Sequence, residues 1–230
     1  MKRTFFALSR IFSLVVWVPM LSLSLTACTP DEVEDTDIYC AHQGHPHAVD
    51  LGLSVKWACC NISTEKPESP EEYGDYFAWG DPEKKDSYTW STYKWNDNDT
   101  GELTKYNGTD SKTILELTDD TAQALWGDEW RMPTQAEMQE LMDRCTWTWT
   151  SVNGVYGYRV SGNGNSIFLP AAGSQYEDLY TSQGTQGCYM SATLYSGDNE
   201  LEVCMGFNKK DRYTINSDRC DGHTIRPVKR

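Results

Sequence analysis

A cysteine and three of the chain's four histidines lie within eight residues, at Cys40, His42, His45 and His47. Thiolate and imidazole groups are ligands that hold Zn²⁺ tetrahedrally in proteins. Pro46 and the short spacing hinder simultaneous ligation by the last two histidines, and no rigid element supports them. We therefore predict no cofactor here and interpret the segment as a polar lead-in to the first strand, with a zinc site as the alternative.

A second cluster, residues 95–102 (WNDNDTGE), carries three carboxylates and two amides. These are hard oxygen ligands of the kind that Ca²⁺ prefers, but their order does not follow the twelve-residue EF-hand loop. A polar turn explains the same residues. We predict no cofactor at this position either, with calcium as the alternative.

Motifs of catalysis are absent from the sequence. It contains no Gly-x-Ser-x-Gly, no glycine-rich phosphate loop and no His-Glu-x-x-His. His223 is the single histidine outside the first cluster, and a lone histidine beside a final strand more often has a structural role. We therefore predict that the protein is not an enzyme.

Residues 195–220 are rich in Tyr, Ser, Asn and Asp, and most of them, Arg219 included, have the character of exposed side chains. This composition resembles that of antibody loops, in which Tyr supplies contact area and the polar residues supply adaptable hydrogen bonds. The turns of a β domain have a similar composition, and this alternative stays open. The predicted ligand-binding residues are Tyr195, Asp198, Asn199, Asn208, Arg212, Tyr213, Asn216 and Asp218.

Within that set Arg212 and Tyr213 are expected to contribute most of the binding energy, because Arg and Tyr are frequent at binding hot spots. Val203, Met205 and Phe207 alternate with the positions expected to point outward, so we expect these three to face the core. The ligand is expected to be an extracellular glycan or protein, and the sequence does not decide between the two.

One disulfide is a candidate among the eight cysteines. Residues 188–194 and 201–208 form a predicted hairpin, and a turn centred on Ser196 places Cys188 opposite Cys204, within reach of a disulfide. A register slip of one residue would remove this pairing. If Cys28 is lipidated, seven cysteines remain, and an odd number leaves at least one thiol free.

The clearest element that positions these residues is a helix over residues 134–145. Pro133 precedes it, Thr134 and Glu137 form a capping box, and apolar residues follow at helical spacing. Those expected in the core are Met138, Leu141 and Met142. A shorter helix is predicted over residues 118–126, with Ala122, Leu125 and Trp126 on one face and Gly127 as its stop.

Strands are predicted on both sides of the helices. Two short strands fall within residues 49–60, and further strands follow at 156–160, 166–169, 188–194, 201–207 and 223–228. Residues 81–112 are polar and indicate a long loop. Two helices followed by a strand-rich half predict the α+β class, with small antiparallel sheets.

The N-terminus has the pattern of an export signal. Residues 1–10 are basic, and the apolar run at 11–25 is shorter than the roughly 20 residues that span a bilayer. The run ends in Leu25-Thr26-Ala27-Cys28, which resembles a bacterial lipobox. We predict a signal peptide over residues 1–27 and a lipidated Cys28; an ordinary signal peptide, cut after Ala27 with Cys28 free, is the alternative.

Residues 28–43 are predicted to form an acidic tether, since five of the nine residues at 29–37 are acidic. Acidic residues directly behind a lipid cysteine are similar to the surface-export signal of Bacteroidota lipoproteins. We therefore expect an outer-membrane, lipid-anchored protein at the cell surface. The net charge of −14 excludes nucleic acid as a partner and restricts membrane contact to the lipid anchor.

Five segments in order carry a resemblance to a known family. They are residues 49–59 (VDLGLSVKWAC), 72–80 (EYGDYFAWG), 130–137 (WRMPTQAE), 165–173 (NSIFLPAAG) and 225–228 (IRPV). Together they resemble the Fibrobacter succinogenes major paralogous domain family, and the resemblance covers most of residues 44–230. It implies one monomeric domain of C-type lectin-like fold over 44–230, in which the strand at 225–228 pairs with the first strand at 49–53.

The resemblance also implies a function. The expected protein is a cell-surface lipoprotein that displays a C-type lectin-like ligand-binding domain, of adhesin or receptor type. In some similar lipoproteins a retroelement rewrites the C-terminal region and favours Asn, Tyr, Ser and Asp.

Two alternatives stay open. An enzyme on a formylglycine-generating scaffold would show a cysteine pair in a concave pocket. A structural component of a surface assembly would show an exposed, unpaired strand edge.

Overall fold

The computed structural model describes residues 48–65 and 69–230. The predicted signal peptide, Cys28, the tether at 28–43 and the cysteine and histidine cluster at 40–47 lie outside the described residues. Among those that are described, no helix is both long and apolar enough to cross a membrane.

The described part of the chain forms eleven strands and two helices. The strands are β1 (Ala48–Val49), β2 (Lys56–Ala58), β3 (Thr146–Val152), β4 (Val155–Gly162), β5 (Asn165–Pro170), β6 (Ser174–Tyr176), β7 (Leu179–Thr181), β8 (Gln186–Leu194), β9 (Leu201–Asn208), β10 (Arg212–Asp218) and β11 (Val228–Lys229). The helices are α1 (Thr121–Trp126) and α2 (Gln135–Arg144). Two short helices and small antiparallel sheets confirm the α+β class.

Helix α2 begins at the predicted capping box. The Thr134 N–H donates to the Glu137 carboxylate (2.9 Å), and the Glu137 N–H donates back to the Thr134 hydroxyl (3.3 Å). Met138, Leu141 and Met142 are buried, as predicted from their spacing. The helix ends at Arg144, and β3 begins two residues later.

Helix α1 is shorter than predicted and begins at Thr121, because the Asp120 carboxylate caps it by accepting from the N–H groups of Ala122 and Gln123. The preceding residues, Leu117–Asp119, form a 3₁₀ turn. Ala122 is buried, whereas Leu125, predicted on the same buried face, is 37% exposed. Gly127 ends the helix with φ 91°, a conformation that favours glycine.

The strands form four small antiparallel sheets. Their orders are β3-β4-β5, β8-β9-β10, β1-β2-β11 and β6-β7. The middle strand β9 is buried from Glu202 to Phe207, so both of its faces are covered. Val203, Met205 and Phe207 face the core as predicted, but the prediction that the alternating positions point outward was wrong.

The first and last strands share a sheet without pairing with each other. Val49 and Val228 both pair with Trp57, so β1 and β11 flank β2 on opposite sides. The predicted pairing of 225–228 with 49–53 was therefore wrong. Trp57, at the centre of this sheet, has no solvent exposure and belongs to a core cluster with residues of α2, β8 and β9.

Residues 81–112 form the long loop that was predicted, and a buried arginine fastens it. Arg219 donates to the carbonyls of Lys105 (3.2 Å), Tyr106 (3.1 Å) and Asn199 (2.9 Å) and to the Tyr93 hydroxyl (3.0 Å). Its exposed fraction is 0%, so the prediction of an exposed side chain was wrong. Without it the buried Tyr106 carbonyl would lose its hydrogen-bond donor, and so would two part-buried carbonyls.

Candidate functional site

Strand β10 carries half of the predicted ligand-binding residues. Residues 209–218 have the composition of a loop, but Arg212–Asp218 form a strand that pairs with β9 in the register Tyr213↔Gly206 and Ile215↔Cys204. Six of its seven residues are exposed, in contrast to the buried strand beside it. In the described part of the chain, β10 is the edge of its sheet.

The eight predicted residues do not form one patch. Within β10, Tyr213 points to one face, while Arg212, Asn216 and Asp218 point to the other. Asp218 pairs with Leu201 and so lies at the end of β10 next to the turn that contains Tyr195, Asp198 and Asn199, whereas Asn208 lies near the other end. The exposed residues are Tyr195, Asp198, Arg212, Tyr213, Asn216 and Asp218, and Asn199 and Asn208 are half-buried.

Three of the eight also have local structural roles. The Asn208 amide oxygen accepts from the N–H groups of Lys210 (2.8 Å) and Asp211 (3.1 Å) and shapes the turn before β10. The Asp198 carboxylate accepts from the Glu200 N–H (3.0 Å) in the preceding turn. The Arg212 Nε–H donates to the Met142 carbonyl at the end of α2 (3.2 Å).

Two surface cavities lie at the ends of this region. One, of about 330 Å³, is lined by α2 and by Arg212 and Tyr213. The other, of about 560 Å³, lies between Asp198 and Asn199 on one side and residues of the long loop, including Glu102 and Asn107, on the other. Both are polar depressions at the margin of β10.

The loop at 95–102 has the geometry of a polar turn. The Asp97 carboxylate accepts from the N–H groups of Asp99 (2.9 Å) and Thr100 (3.3 Å). The Asn96 amide donates to the Asn98 side-chain oxygen (2.9 Å). One Asp97 oxygen and the Asn98 side-chain oxygen thus accept hydrogen bonds within the turn, as the turn interpretation expects, and calcium stays the alternative.

A cluster that sequence analysis did not find lies between β8, β9 and the segment after β10. The sulfur atoms of Cys188 and Cys204 and a ring nitrogen of His223 all lie within 4.8 Å of one another. Strands β8 and β9 supply the two cysteines, and backbone hydrogen bonds in both directions with Phe77 (3.0 Å each) hold His223 in place. No pattern in the local sequence around His223 predicts its contact with the two cysteines.

The two cysteines are diagonal rather than opposite each other. Cys188 pairs with Gly206, and Cys204 pairs with Met190, so the predicted register was wrong by two residues. An irregularity between Met190 and Leu194 displaces the hairpin from a symmetric turn. Cys188 and Cys204 are free thiols in the structure, and the predicted disulfide is not formed.

Glu202 completes the cluster from the same face of β9 as Cys204. Its side chain is fully buried, with Oε1 3.6 Å from the Nε2 of His223. Both carboxylate oxygens and this Nε2 lack a hydrogen-bond partner among the described residues. The other ring nitrogen, Nδ1, lies 3.1 Å from the Ser174 hydroxyl.

Burial and the contacts among these side chains shift their pKa values. Burial raises the pKa of Glu202 well above its ordinary value. The Cys204 thiol, followed by His223, lowers the pKa of Cys188. Burial opposes the charge on His223, but Cys188 and Glu202 outweigh this effect and raise the pKa of His223 to about 9.

Comparisons with known proteins found no match: no family profile matches the chain, and neither does a curated protein or a solved structure. The resemblance to the Fibrobacter succinogenes major paralogous domain family stays a prediction.

Proposed function

We propose that this chain is a cell-surface lipoprotein whose domain has a C-type lectin-like fold and binds an extracellular ligand, as an adhesin or receptor does. In this proposal Cys28 carries the lipid anchor in the outer membrane. The ligand, a glycan or a protein, contacts β10 and the turn at 195–200. The domain acts as a monomer and is not an enzyme.

The observation that carries the proposal is the contrast between β9 and β10. Strand β9 is buried over six consecutive residues, whereas β10 beside it exposes six of seven. A strand with both faces in solvent contributes little to the core, so its side chains are available for a partner. Tyr, Ile, Asn and Asp on such a strand match the mixed apolar and polar composition of binding surfaces.

Tyr213 is the expected anchor. It is 36% exposed and its ring lies against Gly206, where an added Cβ would meet the ring carbons at 2.6 Å. The absence of a side chain at Gly206 thus lets the Tyr213 ring pack directly against the backbone of β9. An aromatic ring that is held in place loses little conformational entropy when it binds, which favours it as a hot spot.

The experiment combines a glycan array with capture of extracellular proteins, using the full-length lipoprotein in detergent. Once a ligand is found, Tyr213→Ala should weaken its binding about 5- to 150-fold, which corresponds to roughly 1–3 kcal/mol. Tyr156→Ala is the matched control, because Tyr156 is 53% exposed on β4, in another sheet. Loss of binding in the control, with binding intact in Tyr213→Ala, would place the ligand elsewhere.

A second candidate, a structural component of a surface assembly, is favoured by the edge position of β10. Its outer edge pairs with no strand in the described part of the chain, and such edges accept strands from other chains. Thr214→Pro should abolish self-association in this case, because proline removes an edge N–H donor. A full-length protein that stays monomeric at all concentrations would exclude this candidate.

The cysteine pair does not support the alternative that the protein is an enzyme. Cys204 is fully buried and Cys188 partly so, and neither lines the surface cavities described above. Cysteine catalysis needs a thiolate that a substrate can reach. We therefore assign the cluster a role within the fold.

A further inference from the structure

Cys188, Cys204 and His223 place three metal-binding atoms within 4.8 Å of one another, and Glu202 approaches His223 to 3.6 Å, so four side chains of the kind that bind a transition metal lie close together. Two come from adjacent positions of the same face of β9, one from β8, and one from the segment after β10. Soft thiolates with imidazole and carboxylate form the donor set typical of zinc. We propose that these four residues bind a Zn²⁺ ion in a closed, structural site.

The unsatisfied atoms are the first argument. A buried carboxylate without hydrogen bonds is costly, and a buried imidazole nitrogen without a partner adds to that cost. Oε1 and Oε2 of Glu202 and Nε2 of His223 are all in this state among the described residues. A cation bound between them would satisfy the two side chains together.

The distances are the second argument. Oε1 of Glu202 and Nε2 of His223 are 3.6 Å apart, too far for a good hydrogen bond. With zinc bonds of about 2.0–2.1 Å, two tetrahedral ligands of this kind lie about 3.4 Å apart. The observed separation therefore fits two ligands of one ion better than it fits a hydrogen-bonded pair.

Nδ1 of His223 supports the same arrangement. It lies 3.1 Å from the Ser174 hydroxyl, a contact that lets the Nδ1–H donate and leaves the Nε2 lone pair free. Metal-binding histidines commonly donate their second ring N–H in this way. Ser174 thus acts as a positioning residue for His223.

The diagonal placement of the cysteines favours a metal over a disulfide. Cα atoms of diagonal residues on antiparallel strands lie about 7–8 Å apart, beyond the about 4.4–6.8 Å usual for a disulfide. Two sulfurs on one zinc ion are about 3.8 Å apart, since each bond is about 2.3 Å. The sulfurs, which lie within 4.8 Å of each other, need only a small movement to reach this geometry.

The charges are also appropriate. Zn²⁺ with two thiolates, one carboxylate and one neutral imidazole has a net charge of −1, the same as a Cys₃His structural site. Binding takes the ion from solution and releases to solvent every proton that the two thiols, the His223 Nε2 and the Glu202 carboxyl carry beforehand, so that all four bind in their deprotonated forms. All four coordination positions belong to the protein, so no position is open for a substrate.

The test starts with the metal content and X-ray absorption spectrum of the full-length protein, purified under reducing conditions and incubated with zinc. We expect one zinc per chain with two sulfur ligands at about 2.3 Å and two nitrogen or oxygen ligands at about 2.0 Å. A spectrum with one sulfur and three nitrogen ligands would place zinc at Cys40, His42, His45 and His47 instead and would overturn the proposal. A zinc-free protein with a Cys188–Cys204 disulfide in its mass spectrum would also overturn it.

Variants locate the site. Cys188→Ser and Cys204→Ser should each lose at least nine-tenths of the bound zinc, and Glu202→Gln should release it faster to a chelator. Cys145→Ser is the matched control, because Cys145 is a half-buried cysteine at the end of α2, away from the proposed site. This variant should bind as much zinc as the wild type. Full zinc retention by both cysteine variants would refute the assignment.

Chelation of the wild-type protein removes the dependence on variants that fold poorly. At free zinc 1,000 times its dissociation constant, metal removal should lower the melting temperature by about 8–16 °C. An unchanged melting temperature would contradict a structural role of the ion. The same chelator treatment of Cys188→Ser should have little effect.

Discussion

Buried arginines hold together segments of this chain that are far apart in sequence. Arg226 donates to the Asn61 side chain (2.7 Å) and to the carbonyls of Ala58 (3.0 Å) and Phe168 (2.8 Å). Arg219 makes the corresponding contacts with the long loop. Because the guanidinium presents five donors in a planar fork, one side chain can satisfy several buried carbonyls at once.

Replacement of Arg219 should therefore be severe. Arg219→Ala leaves the buried Tyr106 carbonyl, two part-buried carbonyls and the Tyr93 hydroxyl without their donor, and we expect a loss of about 3–5 kcal/mol in the free energy of unfolding. Arg212→Ala is the control, because that exposed arginine donates to one carbonyl only. Denaturant titration measures both, and equal losses would show that the buried network is not special.

Glu137 should contribute to the pH dependence of stability. Burial opposes its charge, but hydrogen bonds from Arg131 and from Thr134 outweigh burial and lower the pKa of Glu137 below its ordinary value. A carboxyl group whose pKa is lower in the folded state stabilises the protein above the unfolded-state pKa, about 4.3. This contribution is lost as the pH falls from about 5 through the lower, folded-state pKa.

Glu137→Gln should consequently lower stability at pH 7 by about 1–2 kcal/mol and by much less at pH 3. The free energy of unfolding at both pH values measures the difference. A variant that loses the same amount at both would show that the hydrogen bonds of Glu137, and not its charge, stabilise the fold.

Helix α2 contributes Met138, Leu141 and Met142 to one of the buried core clusters. Leu141 has no solvent exposure, and the core cluster next to it includes Trp57, Tyr189 and Phe207 from three different strands. Truncation of the Leu141 side chain would leave a cavity, and the neighbouring residues come from separate sheets and would fill it poorly.

Leu141→Ala should accordingly cost about 2–5 kcal/mol in the free energy of unfolding. Leu125→Ala on α1 is the matched substitution, because Leu125 is 37% exposed and should lose less than about 1 kcal/mol. Thermal or denaturant unfolding distinguishes the two. Similar small changes in both variants would mean that α2 is not a core element.

At the level of the whole protein, the proposed lipid anchor would decide where the proposed ligand-binding surface operates. Metabolic labelling with an alkyne fatty acid should mark the wild-type chain and not Cys28→Ser, since the proposal places the acyl chains on that cysteine. Two or three chains on one residue suffice for stable attachment. Equal labelling of both proteins would remove the basis for the outer-membrane assignment.

Local patterns in the sequence predicted the elements whose signals lie within a few residues. The capping box of Thr134 and Glu137 and the apolar spacing that follows determined α2, because i,i+3 and i,i+4 neighbours meet on any helix. Alternation and turn residues likewise located β4, β5, β8 and β9. The class of the fold follows from the order of these elements.

Tertiary structure alone decided the rest. Arg219 has the amino-acid type of a surface residue. In the folded chain it is buried, and it donates to carbonyls that are more than a hundred positions away in sequence. An irregularity in β8 moves Cys188 and Cys204 from the predicted opposite positions to diagonal ones, and backbone pairing with Phe77 holds His223 beside them. Register and long-range pairing depend on contacts that no short window of sequence contains, so the metal-like cluster was visible only in the folded chain.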